Sequence, residues 1–275
     1  MGELDLEKIK LIEMNMLKEF ISICKRHNFC YFMLGGSCLG AVRHKGFIPW
    51  DDDIDVGMPR PDYEQFLKVA QDELPPDIFL QTKDTDPEYI ANFAKLRNNN
   101  TTFIEKSVSK KKINHGVYMD IFPLDGFTDK KAKREWILFK KSLYGNRICS
   151  LYDMEANKSL LGRIKKIIAF IFSPNVSKTI SKLEKLYKKF DYKKEKIIVN
   201  HCGAWGRKEI VPKEYFGEGT EGMFEGIKVE LPNQWHNYLT QMYGDYMTLP
   251  PPEQRVSHHD YTVLDLEKSY KEYIN

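Results

Sequence analysis

Over the first 27 residues, apolar side chains recur at Leu6, Ile9, Met16, Leu17, Phe20, Ile23 and Cys24, with Glu13 the one polar interruption. That period predicts an amphipathic helix over residues 5–27. Residues 29–34 are aromatic-rich and run into Gly35-Gly36, which reads as a buried strand and turn. Ser37 is placed to cap a short helix reaching about His44, and residues 46–49 break it. Residues 52–58 alternate as a strand does and stop at Pro59, and residues 61–74 are helical up to Pro75-Pro76. Residues 78–82, 101–105, 117–122 and 197–202 read as strands, and residues 129–152, 158–172 and 175–191 as helices. A glycine-punctuated ribbon over 216–230, a helix over 233–243 and a proline-rich run at 249–252 follow. The order strand, turn, helix, strand, with further strands later, predicts an α+β fold. Its mixed sheet carries flanking helices and a helical insert.

Composition changes this picture in one respect. A hydrophobic fraction of 42% is ample for a buried core and argues against disorder. The net charge of +3, however, averages two unlike parts. Residues 130–196 hold 19 Lys and Arg against 6 Asp and Glu, so the remainder is acidic by about ten charges. The N-terminus lacks the basic-then-apolar pattern of a signal peptide. The most apolar stretch, residues 164–172, is too short to span a bilayer and carries Lys165 and Lys166. Five cysteines, with no CxxC pair and no zinc spacing, predict a reduced, soluble, cytoplasmic protein without structural disulfides.

The candidate chemistry lies in one run. Gly35, Gly36 and Ser37 are followed by Arg43, His44 and Lys45, and then by Asp51, Asp52, Asp53 and Asp55. Glycines let a backbone approach an anion, and the N–H groups opening the next helix point at it. In a strand, Asp53 and Asp55 share a face while Asp52 faces away. Carboxylates ~5–6 Å apart at an effective dielectric of about 20 repel by roughly 3 kcal/mol. Either a pKa rises or a cation compensates, and Mg²⁺ or Mn²⁺ prefers hard oxygen ligands. A solvated acidic loop is the alternative, since screening then removes the repulsion. Two features weigh for the cation. Trp50, Ile54 and Val56 anchor the run, and Asp120 sits on a second apolar strand, where an unpaired charge is costly. Lys95 and Arg97 are further candidate phosphate contacts.

The block from Gly35 to Asp55 resembles the signature of LicD-type phosphotransferases, within the nucleotidyltransferase-fold superfamily that includes the fukutin-related proteins. The resemblance continues at Arg60 to Tyr63, at Met119 to Asp125, and from Tyr243 through Pro251 to Arg255. It implies a nucleotidyltransferase-like core over 1–128, a basic helical segment over 129–195, and a region over 196–275 that completes the site. It implies transfer of phosphocholine from CDP-choline to a hydroxyl of a glycan or lipid-linked glycan precursor of teichoic acid, capsule or lipopolysaccharide, with release of CMP. Gly36 and Ser37 would hold donor phosphate. Asp53, Asp55 and Asp120 would bind metal, with Asp120 also orienting or deprotonating the hydroxyl, or serving as a ligand only. Arg43 and Lys45 would neutralise the CMP phosphate. Of the pair His258 and His259, the resemblance points to His258 as a substrate contact.

Choline calls for aromatic faces, and no individual aromatic is assigned to it. Residues 159–172 place basic residues beside an apolar side, as a helix lying on anionic membrane would. Other CDP-alcohol donors, or a nucleotidyltransferase releasing pyrophosphate, are alternatives on the same fold. A nucleic-acid-binding module would use the basic middle, but that segment lacks a readout motif and aromatic interleaving, so no nucleic-acid partner is expected.

Overall fold

The computed structural model describes residues 2–149, 171, 175–257 and 259–274. In chain order its main elements are α1 (Glu3–His27), β1 (Phe32–Met33), α2 (Gly35–Arg43), β2 (Asp55–Pro59), α3 (Arg60–Glu73), β3 (Ile78–Gln81), β4 (Ala94–Asn98) and β5 (Thr102–Glu105). They continue as β6 (Tyr118–Phe127), α4 (Lys131–Cys149), α5 (Val176–Tyr187), β7 (Ile197–Asn200), β8 (Ile210–Pro212), β9 (Thr220–Phe224), β10 (Ile227–Leu231), α6 (Trp235–Tyr243) and β11 (Tyr261–Asp265).

The long strand β6 organises a mixed sheet of order β1-β2-β6-β4-β3. On one side it runs parallel to β2, with Asp55 opposite Asp120. On the other it pairs antiparallel first with β4, through Ile121, and then with β7, from Leu124. Pro123 falls in the gap between those two partners. Because the Asp120 N–H donates to the Ile54 carbonyl on the β2 side, alternation turns position 123 toward the gap, where no ladder donor is required. Strands from before and after the basic segment therefore share one sheet. β8 extends it beyond β7, β9 and β10 form a separate hairpin, and β11 pairs with β5.

Alternation also sorts the two faces. Ala94, Ile121 and Val56 stand in register on β4, β6 and β2, and all are fully buried. One position along, Lys95, Asp120 and Asp55 stand in register on the opposite face. The apolar stripe of α1 (Ile9, Met16, Leu17, Phe20, Ile23) is buried, and α1 and α3 pack on each other and on the sheet. Each such side chain contributes roughly 1.5–3 kcal/mol by leaving water. A smaller cluster of Phe127, Ile137, Leu183, Tyr187 and Val199 seats α4 and α5 against the sheet.

The predicted α+β class holds, and so do most of its elements. Two boundaries move with consequence. The helix expected from Ser37 starts at Gly35, so Ser37 lies inside α2 and caps nothing. The strand expected from residue 52 starts at Asp55. Three strands, β4, β8 and β11, were not expected as such. The predicted helix over 158–172, and the membrane-facing role given to it, lie outside the described residues apart from Ile171. Among the described residues no helix is long and apolar enough to cross a membrane.

Candidate active site

The row Lys95–Asp120–Asp55 forms the floor of the site. The Lys95 ammonium donates to Asp120 Oδ1 at 2.7 Å. It also lies 3.5 Å from the centroid of the Tyr118 ring. At the other end of the row, the Asp55 N–H donates to Ser37 Oγ at 2.8 Å, and the Leu34 N–H donates to the Asp55 carbonyl at 2.9 Å. These bonds lock the start of α2 against the start of β2. Gly35 has φ of +48°, and a Cβ there would lie 3.4 Å from Asp55 Oδ2 and 3.6 Å from the Tyr243 hydroxyl. A Cβ on Gly36 would lie 2.6 Å from Asp51 Oδ2. The glycine turn thus gives room to carboxylates. Where phosphate was expected over Gly36 stands Asp51, and the Ser37 hydroxyl is engaged by the backbone of Asp55.

The aspartates lie close enough to perturb one another. Asp51 is pushed up to about 8, by burial first and then by the charges of Asp53 and Asp52. Asp53 is raised to about 6 by burial and Asp120, with His259 and Lys95 opposing. Asp55 is driven well above the carboxylate range by burial, Asp53 and Asp120. Asp120 is raised by burial against the pull of Lys95. An all-oxygen donor set forced toward protonation is what a hard divalent cation relieves, so the chemistry of the donors fits Mg²⁺ or Mn²⁺. Among the described residues no three His, Cys, Asp or Glu side chains are gathered into a ready-made cage.

Two contributors escaped the sequence. His259 is one. Its Nδ1 lies 3.0 Å from Asp52 Oδ1 and its Nε2 3.7 Å from Asp53 Oδ2, while Ser257 Oγ donates to Asp52 Oδ2 at 2.9 Å. Burial lowers the imidazole pKa, but the Asp52 hydrogen bond and the Asp53 charge outweigh it and carry it up to about 9. Asp52 precedes the strand, so alternation does not set its direction; it is buried and bonded to the C-terminal segment, where one imidazole reaches both it and Asp53. His258, the member of the pair singled out earlier, lies outside the described residues. Glu13 is the second. It is 1% exposed, Oε2 has no hydrogen-bond partner, and burial followed by Asp53, Asp52, Asp51 and Asp120 raises its pKa well above the ordinary value. Its signal was the polar break in the apolar stripe of α1.

The basic residues separate. Arg43 donates through Nη1 to the Tyr246 carbonyl at 2.6 Å and through Nε to His44 Nε2 at 2.9 Å. It lines a cleft of about 520 Å³ with Trp50, Trp205 and Tyr243. His44 sets its edge toward Trp50, and burial followed by Arg43 lowers its pKa. Lys45 is exposed at φ +62°, at a turn whose carbonyl accepts from the Glu225 N–H. Lys95 is committed to Asp120. Arg97 is 1% exposed and donates to Gln81 Oε1 and the Gly116 carbonyl at 2.8 Å each. Its place as a phosphate contact is corrected: enclosed on all sides, it braces β4. A second groove, of about 630 Å³, is lined by Trp50, Arg255 and His259.

The family model for the LicD/FKTN/FKRP nucleotidyltransferase domain matches residues 28–148, which include Asp53, Asp55 and Asp120. The lipopolysaccharide cholinephosphotransferase LicD of Haemophilus influenzae is 33% identical over 269 residues, covering 94% of this chain and 97% of that protein. Shorter matches join an uncharacterized protein of Rickettsia typhi, 36% identical over 63 residues (23% of this chain, 20% of that one), and one of Rickettsia prowazekii, 42% identical over 43 residues (16% of each). With a relative at that identity along nearly its whole length, and with the carboxylate row inside the matched domain, the chain belongs to the LicD family of phosphotransferases.

Proposed function

We propose that the protein transfers phosphocholine from CDP-choline to a hydroxyl of a cell-surface glycan, releasing CMP. The observation that carries this reading is the near-full-length likeness to a lipopolysaccharide cholinephosphotransferase. The carboxylate floor supports it by supplying the polar centre that phosphoryl transfer uses.

In this reading the sheet is a nucleotidyltransferase-type core, and Asp53, Asp55 and Asp120 hold Mg²⁺ or Mn²⁺. Once bound, the cation would offset the charge of the donor phosphates and polarise their oxygens. The residues do the remainder. Gly35 and Gly36 keep the floor open to close approach. Lys95 holds Asp120 in place, and Asp52 holds His259. The acceptor oxygen forms a bond to the choline-bearing phosphorus as the bond from that phosphorus to CMP breaks. CMP leaves with the electron pair, and the acceptor proton passes to a carboxylate of the cluster. Arg43 faces the leaving CMP. A lipid-linked acceptor would bring the protein to an anionic membrane surface, which the basic segment over 130–196 would favour.

The test incubates the protein with CDP-choline, Mg²⁺ or Mn²⁺, and lipopolysaccharide lacking phosphocholine. The expected products are CMP and choline-bearing glycan in equal amounts. Pyrophosphate as the product, or no CMP from CDP-choline while CDP-glycerol or CDP-ribitol is consumed, overturns the choline assignment.

A further inference from the structure

Two clefts meet at Trp50, and each brings one side chain toward a carboxylate of the floor. Trp50 and Val256 line both, and the Arg255 guanidinium lies 5.6 Å above the Trp50 ring, thickening the wall between them. The Arg43 cleft arrives through Tyr243, whose hydroxyl approaches Gly35, as Asp55 Oδ2 does. The other groove arrives through His259, whose Nε2 lies 3.7 Å from Asp53 Oδ2.

We infer that the two clefts divide the substrates: the Arg43 cleft takes the nucleotide end of the donor, and the groove at His259 takes the sugar that accepts the phospho group. The inference rests on the phosphotransferase reading above. Its first ground is the geometry of the reaction. The entering oxygen and the departing CMP lie roughly in line across the phosphorus. One substrate must therefore approach the carboxylates from each side, and the wall at Trp50 and Arg255 keeps the approaches apart.

Chemistry assigns the sides. The Arg43 cleft offers a guanidinium for phosphate and the rings of Trp50, Trp205 and Tyr243 for a base to stack on. The His259 groove offers a different mixture. Leu6, Val256 and Tyr261 give apolar surface for the C–H faces of a sugar, and Ser257 and Asp260 give partners for its hydroxyls. Among the described residues its guanidinium is Arg255, which lies over Trp50. Asp52, buried and bonded to both Ser257 and His259, fixes the inner end of the groove against the reacting centre.

The test separates the two substrates kinetically. Leu6→Trp fills the groove from α1, and Asp260→Ala removes an exposed carboxylate from its wall; Arg43→Gln alters the other cleft. CDP-choline affinity is measured by calorimetry. Transfer is measured as CMP release with phosphocholine-free lipooligosaccharide as acceptor, and slow CMP release to water without it. Leu6→Trp and Asp260→Ala are expected to raise the KM for the lipooligosaccharide about tenfold, leaving CDP-choline affinity and the water reaction unchanged. Arg43→Gln is expected to weaken CDP-choline about tenfold and leave the acceptor KM alone. Loss of CDP-choline affinity in Leu6→Trp, or an unchanged acceptor KM in both groove variants, overturns the division. Wild-type protein that releases no CMP from CDP-choline instead defeats the reading beneath it.

Discussion

Two aspartates on the same strand, five residues apart, meet opposite fates. Asp125 is fully buried and held by Arg60 through two bonds of 2.7 Å. Asp120 has one bond of 2.7 Å to Lys95 and keeps 14% of its side chain exposed. Burial raises the pKa of both, and each has a cation opposing it. The neighbours differ. Asp125 forms a closed pair with both oxygens engaged, as a bidentate guanidinium allows. Asp120 shares its single ammonium with Asp55 and Asp53, so the ledger of charge around it stays open. A satisfied buried carboxylate braces a fold, whereas an under-compensated one at a cleft is available for chemistry.

The largest effect should come from breaking the closed pair. Asp125→Ala strands Arg60, and stability in urea is expected to fall by about 3–5 kcal/mol. A loss below about 1 kcal/mol would erase the contrast. At the open site the cost should be to activity. Asp53→Asn is expected to lower CMP release at least about a hundredfold, while the thermal midpoint holds or rises because one repelling charge is gone. Substantial transfer by that variant would remove Asp53 from the machinery.

Glu13 extends the contrast into α1. Replacing an unpartnered buried carboxyl with an apolar side chain of similar size should stabilise, so Glu13→Met is expected to gain about 1–2 kcal/mol in urea. Destabilisation would mean that Glu13 has a binding role the native protein depends on.

The last test is the pH profile without divalent cation. Asp51, at about 8 when folded against about 3.9 unfolded, keeps a proton that the unfolded chain has lost. Its effect lowers stability as pH rises from about 4 to about 8. His259, at about 9 against about 6.5 unfolded, contributes stability that is complete below about 6.5 and lost through about 9. Both slopes run downward. Thermal midpoints should therefore fall steadily between pH 5 and pH 9, and Asp51→Asn should flatten the lower half. A profile rising with pH would contradict this arrangement of charges.

Much of the fold was legible where pattern and burial agree. The α1 stripe, the α3 bounds and the β9–β10 ribbon follow from local periodicity. β4 was not, because the charged Lys95 and Arg97, read as candidate phosphate contacts, break the apolar pattern that marks a buried strand. Each is buried only by finding a remote partner, Asp120 for one and Gln81 with the Gly116 carbonyl for the other. β11 follows a proline-rich run and exists through pairing with β5, more than 150 residues earlier. At the site, Asp53, Asp55 and Asp120 could be named from their residue types and apolar frame. His259 could not, since nothing near it in the chain announces Asp52.

By itself, the sequence determined which residues are able to form the site: the glycines that allow close approach, the alternating aspartates, and an acidic residue within an apolar strand. Those are properties of side-chain chemistry and short spacing, and they survive without knowledge of the fold. Only the tertiary structure decided their partners. Parallel pairing of β2 with β6 puts Asp55 opposite Asp120, antiparallel pairing with β4 adds Lys95, and the C-terminal segment returns to place His259 between Asp52 and Asp53. The reason is physical: electrostatic compensation acts over a few ångströms in space, and the chain distances it spans here reach 207 residues.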